Sequence, residues 1–280
     1  MYTTLISARD LAALPADTTA VLDCRFQLAD PAYGERAYLA GHVPGAHYLH
    51  LDTDLSGSKS GRNGRHPLPD SHLLAQKLGL LGIGADSQVV VYDDAGGMFA
   101  ARAWFLLRLL GHRAVAVLDG GVGAWLRAGG VLSSALSPST LRPFMSSPAL
   151  TQVVDAAAVL ANLAAPVFAV VDARSPERFR GEGETLDPVG GHIPAALNRF
   201  FQANLGVDGC FKPAAELAAE WQALLGGRLA SEVVHQCGSG VTACVNLLAM
   251  EYAGLAGSRL YPGSWSEWCS DPARPVSAGG

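Results

Sequence analysis

Short apolar runs alternate with stretches of helical spacing along most of the chain. Residues 20–23, 88–92, 167–172 and 232–235 are too short and too β-branched for helices, and they read as buried strands. Residues 114–118 and 258–261 read the same way. Residues 99–110 and 242–252 carry apolar side chains at helical spacing and stop before Gly111 and Gly254. Strands alternating with helices predict βαβ units, which means a parallel sheet with helices on both faces. The Pro- and Ser-rich stretch 132–149 breaks the pattern and reads as a linker. The expected division is therefore 1–131, linker 132–149, and 150–280.

The two halves repeat one another. Val21-Leu22-Asp23-Cys24-Arg25 returns as Val170-Val171-Asp172-Ala173-Arg174, 149 residues later. Gly41-His42-Val43-Pro44-Gly45-Ala46 returns as Gly191-His192-Ile193-Pro194-Ala195-Ala196 at an offset of 150. Residues 89–92 answer to 232–235, and Asp119-Gly120-Gly121 with Trp125 answers to Pro262-Gly263-Ser264 with Trp268, both at 143. A period this long excludes a solenoid and predicts a duplicated domain.

Composition narrows the class. The chain has 280 residues, 49% of them hydrophobic and 16% charged, which supplies a core and argues against disorder. Net charge is −5 with no Lys/Arg-rich run, so no nucleic-acid partner is expected. No apolar stretch has the length of a membrane span, and residues 1–22 lack the pattern of a secretory signal. The five cysteines form no CxxC pair, so neither a disulfide scaffold nor a metal site is expected. These features predict a cytoplasmic protein with reduced thiols and no cofactor.

Candidate chemistry concentrates in the second half, at Gln236-Cys237-Gly238-Ser239-Gly240-Val241-Thr242. A strand runs into a tight loop that opens with cysteine and ends at a helix start. Gly238 and Gly240 permit turns that side chains block. The amides of Gly238, Ser239, Gly240, Val241 and Thr242 are then placed to form a small anion nest, reinforced by the helix N-terminus. Cysteines in such surroundings hold more of the nucleophilic thiolate than a free thiol does. The first half carries no thiol here: the 143-residue offset sets Asp94, in Tyr92-Asp93-Asp94-Ala95-Gly96-Gly97, against Cys237. The remaining cysteines read as structural. The Asp-x-Arg pairs at 23/25 and 172/174, and His42 and His192, occur in both halves and read as scaffold. A phosphatase loop of the Cys-x5-Arg kind is excluded, because the arginine position holds Ala243. No phosphate-binding glycine loop follows a strand and ends in Gly-Lys-Ser/Thr.

Over about residues 5–270, the chain resembles the tandem-domain rhodanese, or sulfurtransferase, family. The resemblance rests on Tyr38-x-x-x-His42-Val43-Pro44-Gly45-Ala46, the paired Asp-x-Arg strand ends, the Cys237 loop and Gly263-Ser264-Trp265-Ser266-Glu267-Trp268. It implies two tandem rhodanese-like α/β domains, with the reactive cysteine in the second. It implies that Cys237 takes a sulfur atom as a persulfide and passes it to cyanide or a thiol, with thioredoxin a candidate acceptor. Thiosulfate-using members have two cations where this chain has Gly238 and Ser239, so the loop looks like that of the 3-mercaptopyruvate enzymes, with thiosulfate the alternative donor and a non-catalytic sulfur-sensing or binding module the alternative of another class. By the same resemblance, Ser239, Asp54 and His66 relay a proton, and Arg178 binds the donor's carboxylate. The family's second such arginine falls at Asp187, with Arg180 and Arg199 as alternatives.

Overall fold

The computed structural model describes residues 1–279, which divide into two compact units. In the first, the strands are β1 (Leu5–Ile6), β2 (Thr19–Asp23), β3 (Ala46–Tyr48), β4 (Gln88–Tyr92) and β5 (Val115–Leu118). They form one sheet, parallel throughout, in the order β1-β5-β4-β2-β3. Val89, Val90, Val91 and Tyr92 are all inaccessible to solvent, as expected for a central strand covered on both faces. Helices α1 (Ala8–Ala12), α2 (Tyr33–Ala40) and α5 (Gly121–Arg127) place Leu11, Tyr38 and Val122 in one core with Val90 and Leu118. Of the remaining helices, α3 (Ser71–Leu80) and α4 (Met98–Leu109), α4 packs against β4 and β5.

The second unit repeats the plan with α6 (Ala156–Ala164), β6 (Ala169–Asp172), α7 (Pro176–Arg180), β7 (Leu197–Asn198), α8 (Ala214–Leu225), β8 (Val233–Gln236), α9 (Ala243–Tyr252), β9 (Arg259–Leu260) and α10 (Ser264–Trp268). Its parallel sheet runs β7-β6-β8-β9. The counterpart of β1 is reduced to a single parallel bridge between Val153 and Leu260. One core holds Val159, Val170, Val234, Trp265 and Trp268. On α9, Cys244, Val245, Leu247 and Leu248 are fully buried, and this helix packs against α8, β8 and β9.

The repeated polar landmarks are internal staples. Arg25 binds both Asp23 carboxylate oxygens through its guanidinium and donates to the Gly41 carbonyl at 2.7 Å. Arg174 does the same with Asp172 and the Gly191 carbonyl, at 2.6 Å. His42 stacks on Tyr38 and His192 on Phe179, with ring centroids 4.0 and 3.7 Å apart. Each buried charge is paired and hydrogen-bonded, which makes its burial tolerable.

Chain order and spatial unit part company at two segments. Ser58–Leu68 belongs to the second unit and Val207–Phe211 to the first. The 132–149 stretch is bound along the first unit. Ser133 bridges His42 in antiparallel fashion, and the amides of Arg142 and Ser147 donate to the carbonyls of Gly79 and Leu110. Gly79 allows that approach, since a Cβ there would fall 2.6 Å from the Arg142 carbonyl oxygen.

Candidate active site

Strand β8 ends at Gln236, so Cys237 is the first residue of the turn above the sheet. Its N–H donates to Ser264 Oγ at 3.1 Å, and its carbonyl accepts from the Trp265 amide at 2.9 Å. The Gly238 carbonyl accepts from Ser266 N at 3.0 Å, so the first turn of α10 clamps the loop. Ser264 makes this contact from a left-handed backbone, φ +55°, and is fully buried. A non-glycine residue held there stores strain that its surroundings must compensate. Gly240 also has positive φ, +74°, and a Cβ on it would lie 2.3 Å from the Pro262 carbonyl oxygen. The amides of Gly238, Ser239, Val241 and Thr242 donate to no acceptor among the described residues. They lead directly into α9, whose N-terminal end adds positive potential. Cys237 is 1% exposed, and Val241, four residues on, is buried as well.

The 58–68 segment brings two further side chains to this loop. Gly64 lies against Gly263, and the Arg65 amide donates to Ser266 Oγ at 3.0 Å. His66 is thereby placed with Nδ1 2.7 Å from Ser239 Oγ; both residues are buried. Arg65 extends alongside, so that a Cβ at position 238 would lie 2.8 Å from its Nη2 and 3.6 Å from Arg178 Nη1. Glycine at 238 is what lets two guanidiniums approach the loop.

Those guanidiniums are themselves bound. Arg178 donates through Nε and Nη2 to Glu184 at 3.1 and 2.8 Å, and through Nη2 to Asp187 at 3.4 Å. Arg65 Nη1 pairs with the other Asp187 oxygen. Burial pushes the Asp187 carboxyl above the usual range; Arg65 pulls it down and the neighbouring Glu184 pushes it up. Burial also pushes Glu184 up, but the Leu186 amide and Arg178 outweigh it and hold that carboxyl low.

Of the residues singled out in the sequence, Cys237, Gly238, Ser239, Gly240, Val241, Thr242, His66 and Arg178 come together in the second unit. Asp54 belongs to the first unit, where its carboxylate accepts from the His50 amide at 2.8 Å and pairs with Lys77 at 3.1 Å. Arg180 pairs with Glu182 and Glu177, and Arg199 with Asn204 and Glu220. Neither alternative arginine binds Asp187, whereas Arg65, which sequence reasoning passed over, does. Its signal was its place beside His66. Ser264 was missed as well; its signal was the glycine, Gly121, at its counterpart. His235 points to the opposite side of β8 from Val234 and meets Trp221 edge-on at 5.5 Å. Trp265 donates to the Val189 carbonyl and stacks under Arg174.

The sheet register corrects one correspondence. Asp23 pairs with Tyr92, while Asp172 pairs with Gln236. The Val122 amide donates to the Asp93 carbonyl as the Trp265 amide donates to that of Cys237. Asp93, not Asp94, therefore occupies the cysteine's position. The run of similar apolar residues in both strands hid the one-residue difference. The Asp93 carboxylate accepts from the amides of Ala95, Gly97, Phe99 and Ala100 at 2.8–2.9 Å. Burial pushes that carboxyl above the usual range while the four amides pull it down, so in the first unit the loop's amides are filled by its own side chain.

The profile of the rhodanese-like domain matches residues 7–128 and again 155–271. A Pseudomonas aeruginosa protein described as a probable 3-mercaptopyruvate sulfurtransferase is 52% identical over 280 residues, covering 98% of each chain. A Mycobacterium tuberculosis protein described as the putative thiosulfate sulfurtransferase SseB is 40% identical, covering 98% of this chain and 97% of its own. The solved 3-mercaptopyruvate sulfurtransferase from Leishmania major superposes with a TM-score of 0.82 at 28% identity, over 95% of this chain and 74% of that one. With the domain present twice and the parallel sheets to match, the chain belongs to the rhodanese-like family.

Proposed function

We propose that the protein is a sulfurtransferase that moves sulfur from 3-mercaptopyruvate to a thiophilic acceptor through a persulfide on Cys237. The observation that carries this reading is the Cys237 loop. The amides of Gly238, Ser239, Val241 and Thr242 face no acceptor among the described residues, and the corresponding loop of the first unit holds a carboxyl group on its amides. A thiolate or persulfide is an anion suited to that environment. The descriptions of the Pseudomonas and Leishmania proteins support the donor.

In this reading the Cys237 thiolate attacks the donor's sulfur. An S–S bond forms, the C–S bond breaks, and the electron pair leaves on carbon as the enolate of pyruvate. Ser239 gives the enolate carbon a proton and recovers one from His66. Asp54 joins this relay by the resemblance of its motif alone. Arg178, with Arg65, holds the donor's carboxylate, using the N–H groups that border Gly238. Cyanide or a thiol then attacks the outer sulfur, forming thiocyanate or a new persulfide and releasing the Cys237 thiolate. A protein thiol such as thioredoxin is an acceptor of the same chemistry.

Thiosulfate is the second donor to test, because the Mycobacterium relative's description names it. Initial rates of sulfur transfer to cyanide from the two donors, side by side, test the assignment. We expect kcat/KM to favour mercaptopyruvate. We also expect one added sulfur atom in the mass of donor-treated protein, and none in Cys237→Ser. Transfer from neither donor, or turnover surviving in Cys237→Ser, overturns the reading.

A further inference from the structure

Two guanidiniums border the Cys237 loop, and two carboxylates already answer them. The side chains of Asp187 and Glu184 are only 3% and 4% exposed, while those of Arg65 and Arg178 are 28% and 27% exposed. The carboxylates thus lie behind the arginines, and each arginine keeps one edge, Arg65 Nη2 and Arg178 Nη1, toward position 238. The two acids are held differently. Glu184 also accepts from the backbone amides of Thr185, Leu186 and Asp187, so it belongs to the turn it sits in. The Asp187 side chain has Arg65 and Arg178 as its hydrogen-bond partners and spans the two.

We propose that Asp187 sets the charge that the donor site accepts: it neutralises the Arg65–Arg178 pair from behind, so the site takes a donor with one carboxylate and penalises a doubly charged donor such as thiosulfate. The proposal rests on the assignment of Arg178 and Arg65 to donor binding. The physical argument is the charge balance. With both acids ionised, the two cations are fully countered, and a ligand gains from the short hydrogen bonds at the free edges rather than from net attraction. The Coulomb cost that one fixed carboxylate imposes on a ligand scales with that ligand's charge. Removing it therefore helps a dianion by about the square of the factor by which it helps a monoanion. Asp187 touches neither donor nor sulfur in this scheme; it acts through the arginines.

Calorimetric titration of pyruvate and of thiosulfate into Cys237→Ser, with and without Asp187→Asn, tests this without turnover. Asparagine keeps the shape and removes the charge. We expect both anions to bind more tightly, pyruvate by about threefold and thiosulfate by about tenfold. Asp187→Ser, which removes the charge with a different shape, should move both in the same direction. In the enzyme with Cys237 intact, Asp187→Asn should lower KM for thiosulfate about threefold more than KM for mercaptopyruvate, with the change in KM rather than kcat. Equal factors for the two anions, weaker binding of both, or no binding of either in any variant overturns the proposal, and weaker binding would make Asp187 a mere prop for the arginines. Absence of sulfur transfer by the unmodified enzyme overturns the proposed function instead, and the titrations still read the role of Asp187.

Discussion

Asp93 and Cys237 occupy the same place in the two sheets, each the first residue beyond a central strand, and each carbonyl accepts from the helix-starting backbone that follows the next strand. At one place a carboxylate rests on four backbone amides; at the other a sulfur opens the loop. The duplicated fold thus builds the same turn twice and fills one with its own side chain.

That relationship predicts what Asp93 is for. Asp93→Ala removes the acceptor of four amides in a buried loop. Unsatisfied buried donors cost about 1–3 kcal/mol each, and water entering the vacated space recovers part of that. We expect a net loss of about 2–4 kcal/mol in urea unfolding, with Asp93→Asn losing less because one oxygen remains. A change within about 0.5 kcal/mol for the alanine variant would mean the carboxylate does not stabilise the loop.

The Ser239–His66 contact predicts a donor-dependent defect. Release of pyruvate from mercaptopyruvate requires a proton on carbon, whereas release of sulfite from thiosulfate does not. Ser239→Ala and His66→Asn should each lower kcat with mercaptopyruvate by about 10²-fold and spare the thiosulfate reaction. Because the two side chains share one 2.7 Å hydrogen bond, the double variant should be little worse than either single one. Equal losses with both donors would assign the pair to holding the loop instead of moving a proton.

Two positions show backbone strain where the first half has glycine. Ala195 has φ +62° and Ser264 +55°; their counterparts Gly45 and Gly121 have +80° and +57°. Ala195 is exposed, so Ala195→Gly should raise stability by about 0.5–1 kcal/mol by relieving the left-handed strain. Ser264→Gly relieves the same strain but removes the oxygen that accepts from the Cys237 amide. There we expect little change in the melting temperature and a lower kcat. A stability loss in Ala195→Gly would show that the surroundings require the methyl group.

Much of this architecture is written locally, and part of it is not. The strands Gln88–Tyr92 and Ala169–Asp172 are legible because uninterrupted β-branched runs suit only a strand covered on both faces. The Cys237 loop is legible because its glycines are spaced for a turn. The same apolar uniformity makes register illegible: Val89, Val90 and Val91 slide against their counterparts without penalty, which is how Asp94 came to be set against Cys237. Arg65 was illegible for a different reason. Its role depends on the 58–68 segment joining the second unit across more than 100 residues of chain, a long-range placement that no local pattern encodes. Asp187 reads in sequence as a missing arginine; only its bonds to Arg65 and Arg178 show it as a partner of the arginines.

His235 supplies a pH prediction whose sign is fixed by its surroundings. The ring is fully buried against Trp221, and no hydrogen-bond partner meets either nitrogen among the described residues. Burial alone lowers its pKa from 6.5 to about 3. A base whose folded pKa lies below its unfolded value binds its proton preferentially in the unfolded chain. Its contribution to stability is therefore complete above pH 6.5 and is lost as the pH falls toward 3. One proton corresponds to about 1.4 kcal/mol per pH unit, so the unfolding free energy should fall by roughly 2–3 kcal/mol between pH 6.5 and 4.5 on account of this group. Valine is the residue that the register places at the same point of β4, as Val91. His235→Val should cost stability at pH 8 through the space it leaves beside Trp221, yet flatten the difference between pH 6.5 and 4.5 by that amount. Denaturant titrations of both proteins at four pH values measure it. Parallel pH profiles would mean that the imidazole is protonated in the folded protein, with an acceptor or water reaching it inside the core.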